Sequence, residues 1–471
     1  MAYNAGFKTA AALSMRLAEW GGSLGFDDLP ADVVEATKLR VLDVLGLALA
    51  GAETEFGRST RTAALAMSPG GGPCRILGFG DRVGIASAAL ANGALPQALE
   101  FDDTHNESIV HMSSPSVSAA LALAETTSIS GRDLMVAIAL GNEISCRVGS
   151  VSAGEMHKRG FHPTGLFSTF GVAYLAAKIL GLDAEATASA AGIAGSFASG
   201  LLECWVDGTL SKFLHSGWSA QSGMNAAMLA RAGVTGPRQI FEGRWGLFAS
   251  HLQVETAQRD FARIDQTLGE RWESRNSSFK PFPAAHVIHP YLSAALRLRE
   301  RYGIAPGDIQ RIECPVAGFI VGIVCEPRSE KLAPATQAHG RVSLPYSVAE
   351  ALCTGKFGKD AYSAGSRNNP EILALARKVE HYADPDYPGP GRFKGVIKIT
   401  MQDGRVFEEI EEYNRGSAEN PMSYSELRAK FEENAAGFLG PRQCEALASE
   451  IARLEELQSA RTVVDLACGR N

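Results

Sequence analysis

The chain has 471 residues, of which 45% are apolar and 21% are charged, with 49 glycines. At about 100–200 residues per domain this length predicts two or three domains, and the composition excludes a disordered, collagenous or coiled-coil protein. The 45 basic and 52 acidic residues give a net charge of −7, so we expect no nucleic-acid partner.

The eight cysteines are scattered along the chain, without a C-x-x-C pair or a Cys/His group at zinc spacing, which favours a reducing compartment. The N-terminus lacks a basic stretch followed by an uninterrupted apolar stretch. The longest apolar runs, such as residues 41–50, are far shorter than the roughly 20 residues of a membrane span. We therefore expect a soluble, cytoplasmic protein with no membrane partner.

The pattern of residues 8–50 predicts two amphipathic helices. Leu13, Leu17 and Trp20 recur at helical spacing in the first, and Pro30 stands at the start of the second.

A loop of glycine and proline follows at residues 69–73, and residues 74–80 predict one short strand. A glycine-rich stretch beside a strand is typical of phosphate loops. This one lacks both the GxxxxGK(S/T) pattern and a GxGxxG that opens a helix, so we expect no nucleotide site there.

Residues 86–246 are dominated by Ala, Gly, Ser and Leu, in runs such as 116–124 and 186–200. Small residues recur at helical spacing, and the alternation of apolar and polar positions typical of strands is missing. This combination predicts helices that pack closely at several crossing angles, the core of a helical domain.

The pattern changes near residue 276. Residues 309–324 are β-branched and apolar enough for a buried strand, and two further strand-like runs flank Asp403-Gly404, a strong hairpin signal. After Asn420-Pro421, charged amphipathic helices return. We therefore expect a smaller unit of mixed α and β structure, after which the chain rejoins the helical domain.

Three segments gather reactive side chains among glycines and prolines. The first contains Glu100, Asp102, Asp103 and Thr104, followed by His111, a set that could hold a metal or perform acid/base chemistry. Asp, Thr and Ser are also ordinary start signals for the apolar helix that follows, so helix capping is the structural alternative.

The second segment contains Arg159 and His162. His162 is fixed between Phe161 and Pro163 ahead of an Ala-rich helix, whose N-terminus could accept an anion. A lone histidine is nevertheless more often a packing residue than a catalyst.

The third segment is split between Lys212, with His215 shortly after it, and a stretch that holds Lys280, His286 and His289. A lone lysine is usually a solvated side chain, so each residue keeps a structural alternative when it is considered alone.

Several motifs occur in order between about residue 10 and about residue 460. They are Ala91-Asn92-Gly93, Phe101-Asp102-Asp103-Thr104, Gly160-Phe161-His162-Pro163-Thr164-Gly165, Lys212 to Gly217, Gly236-Pro237, Ile240-Phe241-Glu242-Gly243, Lys280-x-x-Pro283 with His289, Ser343-Leu344-Pro345-Tyr346, and Asn420-Pro421-Met422-Ser423 with Lys430-Phe431. In these motifs the chain resembles the MmgE/PrpD family.

The resemblance implies a mostly α-helical protein, with a large all-helical domain built from both chain ends (residues 1–275 and 416–471) and a smaller α+β lid domain (276–415). It also implies a homodimer and a site in the cleft between the domains. The family includes 2-methylcitrate dehydratase, cis-aconitate decarboxylase and iminodisuccinate epimerase. These enzymes act on small polycarboxylates without a metal or an organic cofactor, so we expect neither here.

Proton transfer beside a carboxylate needs a base of near-neutral pKa and cations that stabilise the developing negative charge. On this logic His162 and His111 are the candidate acid/base residues, and Lys212 and Lys280 hold carboxylates. The remaining candidates are Asp103, Thr104 and Tyr346 for catalysis, with Tyr346 acting from the lid, and Asp102, Glu100, Arg159, His286 and His289 for substrate binding.

We expect a lyase that removes a proton next to a carboxylate of a small di- or tricarboxylate, with elimination of water as the first expectation. Decarboxylation and epimerisation use the same groups and stay open. A catalytically retired homologue that only binds polycarboxylates is the alternative from another class. The enzyme is favoured because a binding protein would need the cations but not the bases.

Overall fold

The computed structural model describes residues 11–253, 259–389 and 391–468. Most of these residues are helical and the strands are few and short, which confirms the predicted mostly α fold. Both predicted N-terminal helices are present, as Leu13–Ser23 and Ala31–Ala52. Residues 8–10 of that prediction lie outside the described residues.

The helices of the N-terminal part pack on one another around small residues. They are α1 (Leu13–Ser23), α2 (Ala31–Ala52), α3 (Glu55–Ala66), α4 (Ile85–Ala94), α5 (Ser113–Ala124), α6 (Gly131–Ser150), α7 (Glu155–Lys158), α8 (Pro163–Ile179), α9 (Ala184–Gly195), α10 (Cys204–Asp207), α11 (Ser211–Arg231), α12 (Leu247–Leu252) and α13 (Ala262–Asp265).

Two glycines let α4 and α11 cross at close range. A Cβ on Gly93 would lie 2.8 Å from the Cα of Gly217, and a Cβ on Gly217 would lie 2.1 Å from the carbonyl oxygen of Leu90. Side chains at these positions would therefore force the helices apart. The crossing brings the first turn of α11, which carries Lys212, against the 3-10 turn Leu95–Leu99 that follows α4.

Four strands in this part are only two residues long: β1 (Cys74–Arg75), β2 (Arg82–Val83), β3 (Thr104–His105) and β4 (Ser277–Ser278). The strand predicted over residues 74–80 is thus shorter than expected, because the chain turns at Gly78 and Gly80, both with positive φ. Strand β3 pairs antiparallel with β4. This pairing was not predicted from the sequence. It joins the end of the acidic segment (residues 100–104) to residues 277 and 278, just before Lys280.

The second part contains the helices α14 (His289–Tyr302), α15 (Arg328–Leu332), α16 (Gln337–Arg341), α17 (Leu344–Thr354), α18 (Ala364–Arg367) and α19 (Pro370–Ala376), and the strands β5 (Ile309–Val316), β6 (Val379–Ala383), β7 (Gly395–Met401) and β8 (Val406–Glu411). The strands form one sheet in the order β6-β5-β7-β8, in which β5 and β6 are parallel and the other pairs are antiparallel. The predicted hairpin at Asp403-Gly404 is confirmed by β7 and β8, and Gly404 has a φ of 86°.

The strand predicted over residues 309–324 ends at Val316, so its second half was predicted wrongly. Both neighbouring strands stop pairing with β5 by that residue. The chain then forms a 3-10 turn and a π turn over residues 318–325. Apolar residues in this stretch line the cavity described below instead of the sheet.

The C-terminal helices α20 (Tyr424–Ala435), α21 (Pro441–Ala452) and α22 (Arg461–Ala467) return to the N-terminal part. One buried apolar cluster joins residues from Leu13 to Trp272 with residues from Phe431 to Ala467, and a second runs from Ala284 to Met401. These two cores support our proposal that the chain divides into domains near residues 275 and 415.

Among the residues that the structure describes, no helix has both the length and the apolar character needed to cross a bilayer.

Candidate active site

Residues far apart in the sequence line one narrow cavity of about 80 Å³. Its polar lining consists of Glu100, Thr104, His111, His157, His162, Lys212, Lys280 and His286, and its apolar lining of Ile109, Trp205, Ala285, Val287, Phe319, Ile323 and Phe393. The cavity thus brings together most of the candidate residues, and the segment from 285 to 393 contributes mainly apolar surface.

Glu100 is held in an unusual conformation at the edge of this cavity. It ends the turn Leu95–Leu99 with a φ of 55°, which is uncommon for a residue with a side chain. The next carbonyl, that of Phe101, accepts a 3.0 Å hydrogen bond from Lys430 of α20. Lys430 also forms a buried 2.7 Å ion pair with Asp43 of α2. Burial raises the pKa of Asp43 to about 6 in spite of this ammonium group. Through Lys430, helix α20 therefore connects the acidic segment to α2.

Lys212 and Lys280 both contact Glu100. The Nζ atom of Lys212 lies 2.6 and 2.5 Å from the two carboxylate oxygens of Glu100. The Nζ atom of Lys280 donates to the carbonyl oxygen of Glu100 at 3.1 Å and lies 3.5 Å from Oε1. Burial alone would raise the pKa of Glu100, but the two ammonium groups hold it well below the usual range. Two buried cations thus share one protein carboxylate, which leaves capacity for a second anion.

The His111 ring is oriented through its Nδ1 atom. Nδ1 lies 2.9 Å from the carbonyl oxygen of Asp103, 3.2 Å from Oδ1 of Asp102 and 3.3 Å from the hydroxyl of Thr104. These oxygens require the proton on Nδ1, and Nε2 is then directed to the side of Glu100, whose Oε1 is 4.0 Å away. Burial would raise the pKa of Asp102, but His111 holds it below its usual value.

His162 approaches His111 from another segment, with ring centroids 5.7 Å apart. It stands immediately before α8, and its backbone N–H donates to the carbonyl oxygen of Gly200 at 3.0 Å. Its Nε2 atom is buried and has no protein partner in the described chain. Burial, together with the positive charge of Lys212, holds the pKa of His162 well below that of an ordinary histidine. A neutral imidazole therefore faces the cavity at neutral pH.

His286, just before α14, is a further polar residue that lines the cavity together with Lys280. The side-chain amide of Asn414 lies 2.8 Å from Nε2 of His286. Burial, together with His289 and Lys280, holds the pKa of His286 well below its usual value. A neutral ring that accepts the amide N–H at Nε2 carries its own proton on Nδ1.

Asp103 does not line the cavity, although we predicted a catalytic role. Its carboxylate accepts a 2.5 Å hydrogen bond from the hydroxyl of Ser113, at the start of α5, and lies 3.5 Å from Nε of Arg40. Burial raises the pKa of Asp103 in spite of this guanidinium group. We therefore propose a structural role for Asp103 at the start of α5, where its Oδ1 also accepts the backbone N–H of Ser113 at 3.3 Å, whereas Asp102 and Thr104 contact His111.

Three further candidates lie elsewhere. Tyr346 is fully buried in the second core, where its hydroxyl donates to the carbonyl oxygen of Ala361 at 2.8 Å. His289 begins α14, its Nε2 lies 3.0 Å from the carbonyl oxygen of Ala284, and burial lowers its pKa to about 3. Arg159 is exposed after α7. Core packing or solvent, and not the cavity, surrounds each of these side chains, so we propose structural or surface roles for them.

His157 and Trp205 line the cavity but were not selected from the sequence. Their rings are 5.2 Å apart, and Nζ of Lys212 lies 6.0 Å from the Trp205 ring centroid. Burial and the charge of Lys212 lower the pKa of His157 to about 4. The clustering of His157 with His162 was a signal that could have identified it, whereas nothing in the sequence singles out Trp205.

A wider depression of about 620 Å³ lies beside Asn106, Glu107 and Arg392, but no histidine or lysine of the described chain lines it. We therefore propose the smaller cavity as the candidate active site. Within residues 11–253, 259–389 and 391–468, no three His, Cys, Asp or Glu side chains form a group that could hold a metal ion.

Two family models match the chain. The model of the MmgE/PrpD N-terminal domain matches residues 15–260, and the model of the MmgE/PrpD C-terminal domain matches residues 282–456. Together they cover most of the sequence, in agreement with the motif order.

Curated relatives match over nearly the whole chain. It is 26% identical to the cis-aconitate decarboxylase-like protein oryM of Aspergillus oryzae, with 97% of each chain aligned. It is 25% identical to the cis-aconitate decarboxylase of Aspergillus terreus, over 96% of this chain and 95% of that one. It is 29% identical to the cis-aconitate decarboxylase of Mus musculus, over 95% of this chain and 91% of that one. These similarities support a function of the lyase type.

Proposed function

The chain belongs to the MmgE/PrpD family, and on this basis we propose that it is a lyase that releases CO₂ from a small unsaturated polycarboxylate bound in the cavity. One observation carries the proposal. His111 and His162, with ring centroids 5.7 Å apart, line the same cavity as Lys212 and Lys280. Acid/base groups and carboxylate-binding cations therefore act on the same ligand.

The two lysines hold a carboxylate that the substrate retains. Both are buried, Lys280 at 0% exposure and Lys212 at 4%, so their charges are little screened by water. Charge-assisted hydrogen bonds from such groups are stronger than neutral ones. Glu100 keeps the two ammonium groups beside each other before the substrate arrives.

The two histidines have opposite environments, which separates their roles. Asp102 and Glu100 flank His111 at 3.2 and 4.0 Å, so these carboxylates stabilise a positive charge on its ring. His162 instead faces Lys212 and stays neutral. Pairs of titratable groups in such contrasting surroundings divide into a proton donor and a neutral partner. We assign proton donation to the His111 imidazolium and hydrogen bonding to the substrate to His162.

The reaction balances with one proton. The bond between carbon and the departing carboxylate breaks, and its electron pair moves toward the double bond and the retained carboxylate. The proton from Nε2 of His111 then forms the new C–H bond, and solvent restores that proton after the product leaves. No redox step is involved.

The lid surface favours loss of CO₂ over loss of water. Val287, Phe319, Ile323 and Phe393 line the cavity and offer no charge to a further carboxylate. A carboxylate placed against such a surface is less well solvated than in water, whereas the CO₂ that it becomes is neutral and apolar. This apolar lining and the decarboxylases among the relatives are why we place decarboxylation ahead of the water elimination expected from the sequence.

We also propose that the chain acts as a homodimer. Large apolar side chains between residues 201 and 245 are exposed, among them Leu201, Val206, Trp218 and Trp245. Exposed apolar groups that cluster along one stretch of chain are typical of interaction surfaces. Light scattering coupled to size exclusion should give the mass of two chains, and Trp218→Glu should shift it toward one.

The proposed reaction can be tested with a panel of substrates followed by ¹H NMR. The panel contains cis-aconitate, 2-methylcitrate, citrate and iminodisuccinate. We expect cis-aconitate to lose one carboxylate. Formation of an alkene from a hydroxy acid would support water elimination, and a change of configuration in iminodisuccinate would support epimerisation. If these compounds raise the Tm of the protein but are not converted, the result would support the alternative of a catalytically inactive homologue that only binds polycarboxylates.

A further inference from the structure

A second histidine, His215, contacts the ring of His162. The Nδ1 atoms of His162 and His215 are 3.0 Å apart, and the two ring centroids are 5.1 Å apart. His215 lies near the start of α11, shortly after Lys212, and is partly exposed. His162 is only 1% exposed, and its Nε2 is buried without a protein partner in the described chain.

Two Nδ1 atoms at hydrogen-bond distance share one proton, so one ring donates and the other accepts. If His215 donates, a neutral His162 carries its proton on Nε2, and an N–H group is presented to the ligand. If His162 donates, it presents a lone pair on Nε2 instead. The partner of the buried ring therefore decides whether the cavity contains a donor or an acceptor at this position.

We propose that His215 is a positioning residue whose Nδ1–H donates to Nδ1 of His162, so that His162 presents Nε2–H to a carboxylate of the substrate. The inference rests on the proposed function, since it takes the ligand to be an anion. An N–H group attracts a carboxylate oxygen, whereas a lone pair repels it. The Nε2 atom of His215 can either donate or accept, because water can reach this partly exposed ring and hydrogen-bond to either tautomer.

Gly200 lies against both histidines. Its carbonyl oxygen accepts the backbone N–H of His162 at 3.0 Å. Its φ is 140°, and a Cβ there would lie 3.2 Å from Cγ and Nδ1 of the His215 ring. A side chain at this position would be strained and would press on His215. The bare backbone thus leaves the space in which the two Nδ1 atoms meet.

Burial, with the charge of Lys212, keeps the pair neutral, as the proposal requires. Burial and the charge of Lys212 lower the pKa of His215 to about 4, and the pKa of His162 is also well below its usual value. A shared proton between two neutral rings is therefore the state present at neutral pH.

The test compares His215→Asn with His215→Asp. The side-chain amide of Asn can donate to Nδ1 of His162, whereas the carboxylate of Asp can only accept. We expect kcat/KM of the Asn variant to exceed that of the Asp variant by about 10- to 100-fold, the size of one charge-assisted hydrogen bond. Should His215→Asp not fold, His215→Glu replaces it, since its carboxylate also can only accept and should show the same loss.

A ¹⁵N spectrum of histidine-labelled protein gives the second readout, with His162 assigned by its absence in His162→Gln. The protonated nitrogen of His162 should be Nε2 in the wild type and in His215→Asn, and Nδ1 in His215→Asp. Protonation of wild-type His162 on Nδ1, or an Asp variant as active as the Asn variant, would overturn the proposal. The spectrum needs no turnover, so it decides the tautomer even if the protein proves not to be a decarboxylase.

Discussion

Oδ1 of Asp102 lies 3.2 Å from Nδ1 of His111, whereas the carboxylate of the adjacent Asp103 contacts Ser113 and lies 3.5 Å from Nε of Arg40. Two consecutive aspartates thus have separate tasks. Asp102 contacts a ring that lines the cavity, and Asp103 connects the acidic segment to α5 and α2.

This difference predicts opposite phenotypes for two matched variants. Asp102→Asn should lower kcat by about 10²-fold, because the carboxylate that faces Nδ1 of His111 at 3.2 Å is lost. Asp103→Asn should lower the free energy of unfolding by about 3 kcal/mol, because Arg40 is left buried without its anion. Steady-state kinetics and urea unfolding on both proteins make the comparison. Equal effects of the two substitutions on kcat would contradict the assignment.

The two histidines are expected to carry most of the catalytic effect. His111→Gln should lower kcat by about 10²–10⁴-fold, the range for a positioned acid. His162→Gln should lower kcat by about 10²–10³-fold, the range for loss of one positioned hydrogen-bond donor. Circular dichroism should show an unchanged fold for both variants. A folded His162→Gln protein with near-normal kcat would leave the chemistry to His111 alone.

The lysines are expected to bind the substrate. Lys212→Met and Lys280→Met keep the aliphatic stem and remove the charge, which should lower kcat/KM by about 10- to 150-fold, or roughly 1.5–3 kcal/mol. Lys356→Met, at an exposed position, is the matched control. Salt should weaken substrate capture by the wild type more than by either cavity variant. If all three variants match the wild type in kcat/KM, the cavity is not the site.

Buried neutral histidines predict a loss of stability in mild acid. The pKa of His157 and of His105 is lowered to about 4, and that of His289 to about 3, mainly by burial. In the unfolded chain these rings bind protons below about pH 6.5, so the unfolded state binds more protons than the folded state as pH falls. Each ring should then cost about 1.4 kcal/mol of stability per pH unit between about pH 6 and pH 4. Urea unfolding at several pH values measures the slope, and His289→Gln should reduce it by one such increment. A slope that this substitution leaves unaltered would show that His289 is not neutral when folded.

Tyr346 should prove structural. Tyr346→Phe removes the hydrogen bond to the Ala361 carbonyl and should lower the free energy of unfolding by about 1 kcal/mol, with kcat/KM within about twofold of the wild type. A large fall in kcat without loss of stability would return Tyr346 to the catalytic residues.

The residue types of the site could be predicted from the sequence, but their pairing could not. Glu100 and Lys212 are 112 positions apart and meet because α4 and α11 cross at two glycines. Asp102 and Asp103 have the same charge, and the backbone path between Glu100 and Thr104 decides which of them reaches His111. No spacing rule specifies that path.

The mostly α fold could be predicted because runs of small residues at helical spacing have no strand alternation. The end of β5 at Val316 could not, since a strand continues only as far as its neighbours pair with it. The position of Tyr346 also depends on tertiary packing, because its motif sets the start of α17 but not which surface that helix covers.

The most direct test of the central claim is release of ¹³CO₂ from carboxyl-labelled cis-aconitate, measured in the headspace after treatment of the protein with a chelator. We predict one CO₂ for each substrate consumed by the wild type, and release at the uncatalysed rate by the folded double variant His111→Gln/His162→Gln. Consumption of substrate without CO₂, or equal release by the double variant, would contradict decarboxylation by these two histidines.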